Sequence, residues 1–120
     1  MKQIDAANAY FVTDKLIQQK NLSIQGKWIL YTLRKELNPA YEFYKKESRD
    51  LFNQYDTTAD GNVISFKSPE LAADYKKKQE DIDNLEIDNL EKKTLKLSDI
   101  PDITVEEIEL LEKFIEFTPE

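Results

Sequence analysis

The sequence predicts a single α+β domain that is predominantly α-helical, with four to five helices and a small two-stranded antiparallel ribbon. Apolar residues recur at helical spacing over most of the 120 residues. Two short stretches, Val63–Phe66 and 94–97, are instead β-branched or alternate with period two, as strands do. The chain has only two glycines and no low-complexity linker, so we expect one domain over residues 1–120.

Residues 1–55 predict a helical half. Residues 4–19 form a short amphipathic helix whose apolar side carries Ile4, Ala7, Phe11 and Leu16. Ser23 is a candidate N-cap for a longer helix over residues 24–55. Pro39 interrupts that pattern, because proline lacks an N–H and clashes with the preceding turn. We therefore expect a kinked helix or a closely abutting pair.

Residues 56–67 predict a loop and then a strand at Val63–Phe66. The alternation at 94–97 predicts a second strand, and we expect the two strands to pair with each other. They are the only two strand-like stretches that the pattern indicates. A small antiparallel ribbon is therefore the expected sheet.

Residues 68–120 predict an acidic helix–strand–helix half. Its first helix begins with a cap, a proline at the first position and an acid in the first turn, at Ser68, Pro69 and Glu70. The last helix begins at Thr104, which forms a capping box with Glu107. Its apolar side carries Ile108, Leu111, Phe114 and Ile115, and we expect Pro119 to end it.

Composition argues against an enzyme. The chain has no histidine and no cysteine, which excludes the usual catalytic triads, imidazole bases and zinc sites. Two glycines cannot supply a glycine-rich phosphate loop. We expect no catalytic residues and no cofactor. No apolar run is long enough for a membrane span and no signal peptide is evident, so we expect no membrane partner.

The charge is unevenly distributed. Residues 1–69 carry 10 basic and 8 acidic side chains, whereas residues 70–120 carry 7 and 16. The overall charge of −7 disfavours direct nucleic-acid binding, which requires cations to neutralise phosphates. The acidic half is interpreted as a solvated face. The alternative is an acidic inhibitor or DNA mimic that blocks a nucleic-acid-binding host or defence protein. Glu109, Glu112 and Glu116 have helical spacing on the acidic last helix and are candidate contacts for a protein partner.

The stretch YDTTADGNVISF resembles a calcium loop. An EF-hand numbering from Asp56 gives candidate oxygen ligands at Asp56, Thr58, Asp60 and Asn62, with Gly61 at the turn position. Lys67 occupies the last position, where a calcium loop has a bidentate glutamate. We therefore interpret the loop as a turn into a strand and predict no metal site. A degenerate calcium-binding module stays the alternative.

Aromatic residues cluster around the predicted kink. They are Tyr31, Tyr41, Phe43 and Tyr44, with Arg34, Lys35, Lys45, Lys46 and Arg49 nearby. Aromatic side chains interleaved with basic ones can bind single-stranded nucleic acid. Aromatic residues also fill cores and protein interfaces, which fits the negative overall charge better. The aromatic candidate contacts for a protein partner are Trp28, Tyr31, Tyr41 and Tyr44.

The order of segments carries a resemblance. An amino-terminal helix precedes LSIQGKWILYTLRKEL, then YEFYKKESRDLFNQY leads into a DGN loop, and KLSDIP precedes ITVEEIELLEKFIEF. This order resembles small proteins of unknown function from tailed phages and prophages of Gram-positive bacteria. The resemblance implies a protein of the bacterial cytoplasm or the virion that acts as an assembly accessory or a host-protein-binding factor. Self-association through the long helix stays open.

Overall fold

The computed structural model describes residues 1–55, 57–60, 63–66 and 68–119, with the backbone alone described over the second and third of these ranges. The described part contains four α-helices and is mostly helical, as the sequence predicts. The helices are α1 (Gln3–Leu16), α2 (Ile24–Phe52), α3 (Pro69–Asp83) and α4 (Val105–Leu111). The strands are β1 (Thr57–Asp60), β2 (Val63–Phe66), β3 (Lys93–Lys96) and β4 (Ile115–Thr118), and a 3₁₀ turn covers Leu97–Asp99.

Helix α2 is the longest helix of the described residues, and both α1 and α3 pack along it. Its 29 residues extend about 43 Å at the standard helical rise, which accounts for most of the longest dimension of 53 Å. Helix α1 packs along the first part of α2, where Arg34 bonds Asp14. Helix α3 packs along the last part, where Gln79 bonds Ser48. The two short helices therefore lie one after the other along one long helix.

Pro39 lies inside α2, which is one helix from Ile24 to Phe52, so of the two expected arrangements the closely abutting pair does not occur. Its side chain is exposed, on the side of α2 away from α1. The missing N–H would have bonded the carbonyl of Lys35, an exposed residue whose carbonyl water can satisfy. Near this point the buried Gln3 side chain donates to the carbonyl of Ala40, which ties α1 to α2 just after the proline.

The core lies where α1, the first part of α2, β3, α4 and β4 meet. Ala6 and Ala9 are fully buried, and these small side chains let α1 approach α2 closely. The other buried members of the core are Leu16, Leu22, Leu30, Leu33, Leu37, Leu95, Ile100, Leu111, Phe114 and Ile115. Phe11 was predicted on the buried side of α1, but its side chain is 59% exposed. The buried stripe of α1 runs instead through its alanines and Thr13.

The predicted pairing of the strands is wrong. β3 does not pair with β2; it pairs in parallel with β4, with Lys93 opposite Ile115 and Lys96 opposite Thr118. Strand β2 pairs antiparallel with β1 instead. Parallel strands need a connection of a dozen or more residues, and the 3₁₀ turn with α4 supplies one. Leu95 and Ile115 from the ribbon point into the core.

The last helix is shorter than predicted. The capping box of Thr104 and Glu107 is confirmed, but α4 ends at Leu111 and not at Pro119. The segment Ile115–Thr118 forms strand β4, in which a buried isoleucine is followed by an exposed glutamate. The apolar residues at 108, 111, 114 and 115 fit a long helix and a helix followed by a strand equally well. Burial against β3 decides between them.

The calcium-loop hypothesis concerns the β1–β2 hairpin. Asp60 and Val63 are register partners in this antiparallel pair. Asp56, Gly61, Asn62 and Lys67 lie outside the described residues, as do the side chains of Thr58 and Asp60. The metal hypothesis and the predicted turn at Gly61 therefore stay predictions.

The start of α2 approaches the 3₁₀ turn very closely. Ser23 caps α2 as predicted, accepting from the Gly26 N–H at 2.9 Å and donating to Asp99 Oδ1 at 2.7 Å. A β-carbon added at Gly26 would lie 2.6 Å from the carbonyl oxygen of Asp99. The glycine therefore permits a contact that no larger residue could make without movement.

Two regions differ in how they are held together. We call residues 1–40 and 86–119 the body, because every member of the buried apolar cluster among the described side chains lies there. We call residues 41–85 the arm, which consists of the end of α2, the hairpin and α3. Helix α3 has no buried residue. The Tyr75 ring of α3 meets Phe52 at the end of α2 and Tyr55 just after it, and Gln79 bonds Ser48 of α2.

Candidate protein-binding surface

The first part of α2 leaves large apolar side chains uncovered. Ile24 is 81% exposed, Trp28 is 61% exposed and Tyr31 is 46% exposed. Their spacing of four and three residues places them along one side of the helix. The rings of Trp28 and Tyr31 lie 6.1 Å apart between centroids. With Ile17 and Lys27 they line a shallow recess of 350 Å³.

A second group of rings continues this surface where α1 lies against α2. Tyr10 and Tyr41 stack with their centroids 4.0 Å apart and an interplanar angle of 11°. Phe11 meets Tyr41 edge-on at 5.2 Å. Tyr10 and Tyr31 line one recess, which connects this group to the first. We call the combined surface the aromatic face; its members are Tyr10, Phe11, Ile24, Trp28, Tyr31 and Tyr41.

The aromatic face is bordered by basic and polar side chains. The Lys45 ammonium lies 5.3 Å from the centroid of the Tyr41 ring, within the range of a cation–π interaction. Lys27 and Lys35 are exposed at its edge. Arg34 Nη1 lies 2.9 Å from Asp14 Oδ1, so this ion pair joins α1 to α2 beneath the edge. A hydrophobic centre with a charged rim is the usual anatomy of a protein-binding surface.

Sequence reasoning identified only part of this surface. Trp28, Tyr31 and Tyr41 were candidate contacts, and all three lie on the aromatic face. Tyr10 was not singled out, and Phe11 was expected in the core. The alanines of α1 could have indicated that Phe11 is exposed, because small side chains suit the side of a helix that packs closely on another. When they take the buried stripe, helical geometry turns Phe11 away from the core.

Tyr44 does not belong to the aromatic face. It is half-buried between α2 and α3, where burial raises the pKa of its hydroxyl and a hydrogen bond with Asp83 raises it further. Ser48 contributes a smaller effect in the opposite direction. The structure therefore places Tyr44 within the arm, in the packing of α3 against the end of α2.

The three candidate glutamates do not share one helical face. Glu109 lies on α4, Glu112 follows the end of that helix, and Glu116 lies on β4. All three side chains are exposed. The helical spacing that grouped them ends at Leu111. The acidic residue that the structure does single out is Glu107, which is buried beside α1.

A recess beside the β3–β4 pair has few polar side chains free to bind a ligand. Its volume is 780 Å³, and its lining residues are Gln25, Thr94, Leu95, Lys96, Asp99, Thr118 and Pro119. Asp99 already accepts a hydrogen bond from Ser23. Over residues 1–55 and 68–119, no group of three or more acidic side chains is placed to hold a metal ion.

In the described part of the chain, no helix is both long and apolar enough to cross a membrane. A comparison with models of known protein families, with curated proteins and with solved structures gives no match. The aromatic face therefore carries the functional argument.

Proposed function

We propose that this chain is a non-enzymatic protein-interaction module that binds a protein partner through its aromatic face. The observation that carries the proposal is the continuity of this face. Four large apolar side chains are exposed on it. The Tyr41 ring contacts those of Phe11 and Tyr10, and Tyr10 lines one recess with Tyr31. Contiguous exposed apolar surface of this kind marks interaction sites, whereas scattered exposed residues do not.

The residue types fit a binding role. Tryptophan and tyrosine are enriched among the residues that dominate interface energies, because they bury much area and lose few rotatable bonds. Trp28 and Tyr31 project from α2, a helix anchored in the core by Leu30, Leu33 and Leu37. A rigid helix presents them in a fixed arrangement, which lowers the entropic cost of association.

The module class is favoured over the acidic inhibitor. A mimic of DNA needs carboxylates spaced like phosphates over one continuous face, and the end of α4 at Leu111 separates Glu109 from Glu116. An enzyme is disfavoured because the sequence has no histidine or cysteine. The resemblance to phage and prophage proteins adds the expectation of an assembly accessory or host-binding factor in the bacterial cytoplasm or the virion.

The test uses two matched variants of α2. Tyr31→Ala removes a ring of the aromatic face that is 46% exposed. Phe43→Ala removes a ring of the same helix that is 47% exposed but lies about 120° further around the helix axis. Immobilised wild-type and variant chains are compared for the proteins they retain from an extract of a Gram-positive host. We expect one stoichiometric partner that Tyr31→Ala loses and Phe43→Ala keeps.

Direct binding then uses Trp28 as the reporter, since it is the single tryptophan of the chain. Purified partner should shift the Trp28 emission to shorter wavelength, because the indole leaves water when the face is covered. Circular dichroism of each variant must match the wild type. Equal retention by both variants, or unchanged Trp28 emission on saturation, would contradict the proposal.

A further inference from the structure

A groove between α1 and α4 borders the aromatic face at Phe11. It has a volume of 540 Å³ and combines apolar walls with charged ones. Its lining residues are Phe11, Val12, Asp14, Lys15, Gln18, Glu106, Glu107 and Leu110. Phe11 is 59% exposed and Leu110 is 44% exposed, so apolar atoms at this groove face water.

Glu107 in this groove has one carboxylate oxygen that receives no hydrogen bond from the described residues. Its side chain is buried, and its Oε1 accepts from the Thr104 N–H at 2.9 Å in the capping box. Its Oε2 is also buried and has no hydrogen-bond partner among the residues described. The Lys15 ammonium lies 3.6 Å from Oε2, beyond hydrogen-bond distance, while the Lys15 side chain is 75% exposed. A buried carboxylate oxygen without a donor is costly.

We propose that an arginine side chain of the protein partner enters this groove and donates to Glu107 Oε2, displacing the loosely held Lys15. The inference rests on the proposed function and specifies the chemistry of the partner. The segment of the partner that binds here contains an arginine flanked by apolar residues. Lys15 swings outward in this arrangement, which its exposure permits.

Arginine fits the groove better than lysine does. Its planar guanidinium has several donors in a fixed fork, so it can bond Glu107 Oε2 and reach a second acceptor of the groove, such as Glu106, at the same time. A guanidinium also stacks on an aromatic face, and the Phe11 ring is accessible for this. Apolar neighbours of the arginine can then cover Leu110.

The probe is an acetylated, amidated tripeptide, leucine–arginine–leucine, titrated into the full ¹⁵N-labelled chain. The matched control peptide carries norleucine in place of arginine. We expect the arginine peptide to shift the amide signals of Gln18, Glu107 and Leu110 in a saturable way. The norleucine peptide should bind about tenfold more weakly or worse, because it leaves Oε2 without a donor. Equal binding of both peptides, or no saturable shift with either, would overturn the proposal.

Three variants test whether the arginine peptide binds at Glu107 Oε2. Glu107→Gln keeps an amide oxygen for the capping box but removes the charge, so we expect loss of arginine-peptide binding. Glu109→Gln removes one charge from an exposed residue of the same helix that does not line the groove, and this variant should retain most of the binding. Lys15→Ala leaves the cap intact and removes the competing cation, so it should tighten binding several-fold. Binding by Glu107→Gln equal to wild type, or weaker binding by Lys15→Ala, would refute the arginine site.

This experiment is independent of the aromatic-face test. A partner lost by Tyr31→Ala with no response to the arginine peptide would refute the arginine site and leave the proposed function standing. A peptide response without any partner that depends on Tyr31 would refute the proposed function alone.

Discussion

The body and the arm are built on the same helix, yet different forces hold them. In the body, leucines of α2 belong to one buried apolar cluster of twelve residues that also includes residues of α1, the β3–β4 pair and α4. In the arm, α3 has no buried residue, and Leu51 is the buried residue among the side chains described there. Hydrophobic burial gives cooperative stability, whereas exposed polar contacts contribute little. The arm should therefore open locally while the body stays folded.

The largest expected effect comes from a core leucine. Leu33→Ala in the body should lower the free energy of unfolding by about 2–5 kcal/mol, because it leaves a cavity in a closely packed cluster. Ile82→Ala in the arm should cost about 1 kcal/mol or less, because that side chain is only half-buried. Urea denaturation followed by circular dichroism measures both. Equal losses would remove the distinction between body and arm.

The second prediction concerns the contact between α2 and the 3₁₀ turn. Alanine is a better helix former than glycine by about 1 kcal/mol, so propensity alone would make Gly26→Ala stabilising. A β-carbon 2.6 Å from the Asp99 carbonyl oxygen should outweigh this gain and give a net loss of about 1–3 kcal/mol. Gln25→Ala, at an exposed neighbour, should change stability by about 0.5 kcal/mol or less. A stabilised Gly26→Ala variant would show that the turn can move away.

Features that depend on neighbours in sequence could be predicted. Ser23, Ser68 and the Thr104–Glu107 capping box were all identified correctly, because a cap involves residues three positions apart. The mostly helical class follows from the periodicity for the same reason.

Features that depend on distant residues could not be predicted. The β3–β4 pairing was not predicted, because the spacing of the apolar residues 108–115 indicated one continuous helix. The same spacing also fits a helix that ends at Leu111 and is followed by a strand. The exposure of Phe11 depends on which stripe of α1 meets α2, and the Gly26–Asp99 contact joins residues far apart in the chain. For the candidate site, residue type indicated Trp28 and Tyr31. Continuity with Tyr10 and Phe11 required the packing of α1 on α2.

The same kind of substitution, removal of an N-cap hydroxyl, can be made once in the arm and once in the body. Ser68→Ala removes the cap of α3 in the arm, and Thr104→Ala removes the cap of α4 in the body. Each loss should cost about 1 kcal/mol locally. Hydrogen exchange should show faster exchange confined to α3 for Ser68→Ala, and lower global stability for Thr104→Ala. Global destabilisation by Ser68→Ala would mean that the arm unfolds together with the body.

The smallest expected effect is a pH dependence of the arm. The Tyr55 hydroxyl donates to Asp74, which lowers the pKa of that carboxyl, and Lys78 lowers it further. The pKa of Tyr55 is raised by the same hydrogen bond, and the pKa of Lys78 is raised by its bonds to Tyr55 and Asp74. The Asp74 contribution is complete above its ordinary pKa of 3.8 and is lost as pH falls through the lowered value. The Tyr55 and Lys78 contributions are complete below 10.0 and 10.5 and are lost as pH rises through the raised values.

Tyr55→Phe isolates this cluster because it removes the hydroxyl and keeps the ring that meets Tyr75. We expect the titration midpoint of the Asp74 carboxyl, followed by ¹³C NMR, to rise toward its ordinary value in this variant. Tyr31→Phe in the body is the control and should leave the midpoint unchanged. Because all three groups are exposed, solvent screens the interaction, and the effect on stability should be small and confined to α3. A midpoint that does not move in Tyr55→Phe would mean that the charges of Lys78 and Lys77, and not the hydroxyl, lower the pKa of Asp74. The acid-range loss of stability would then come from these ion pairs and would persist in Tyr55→Phe.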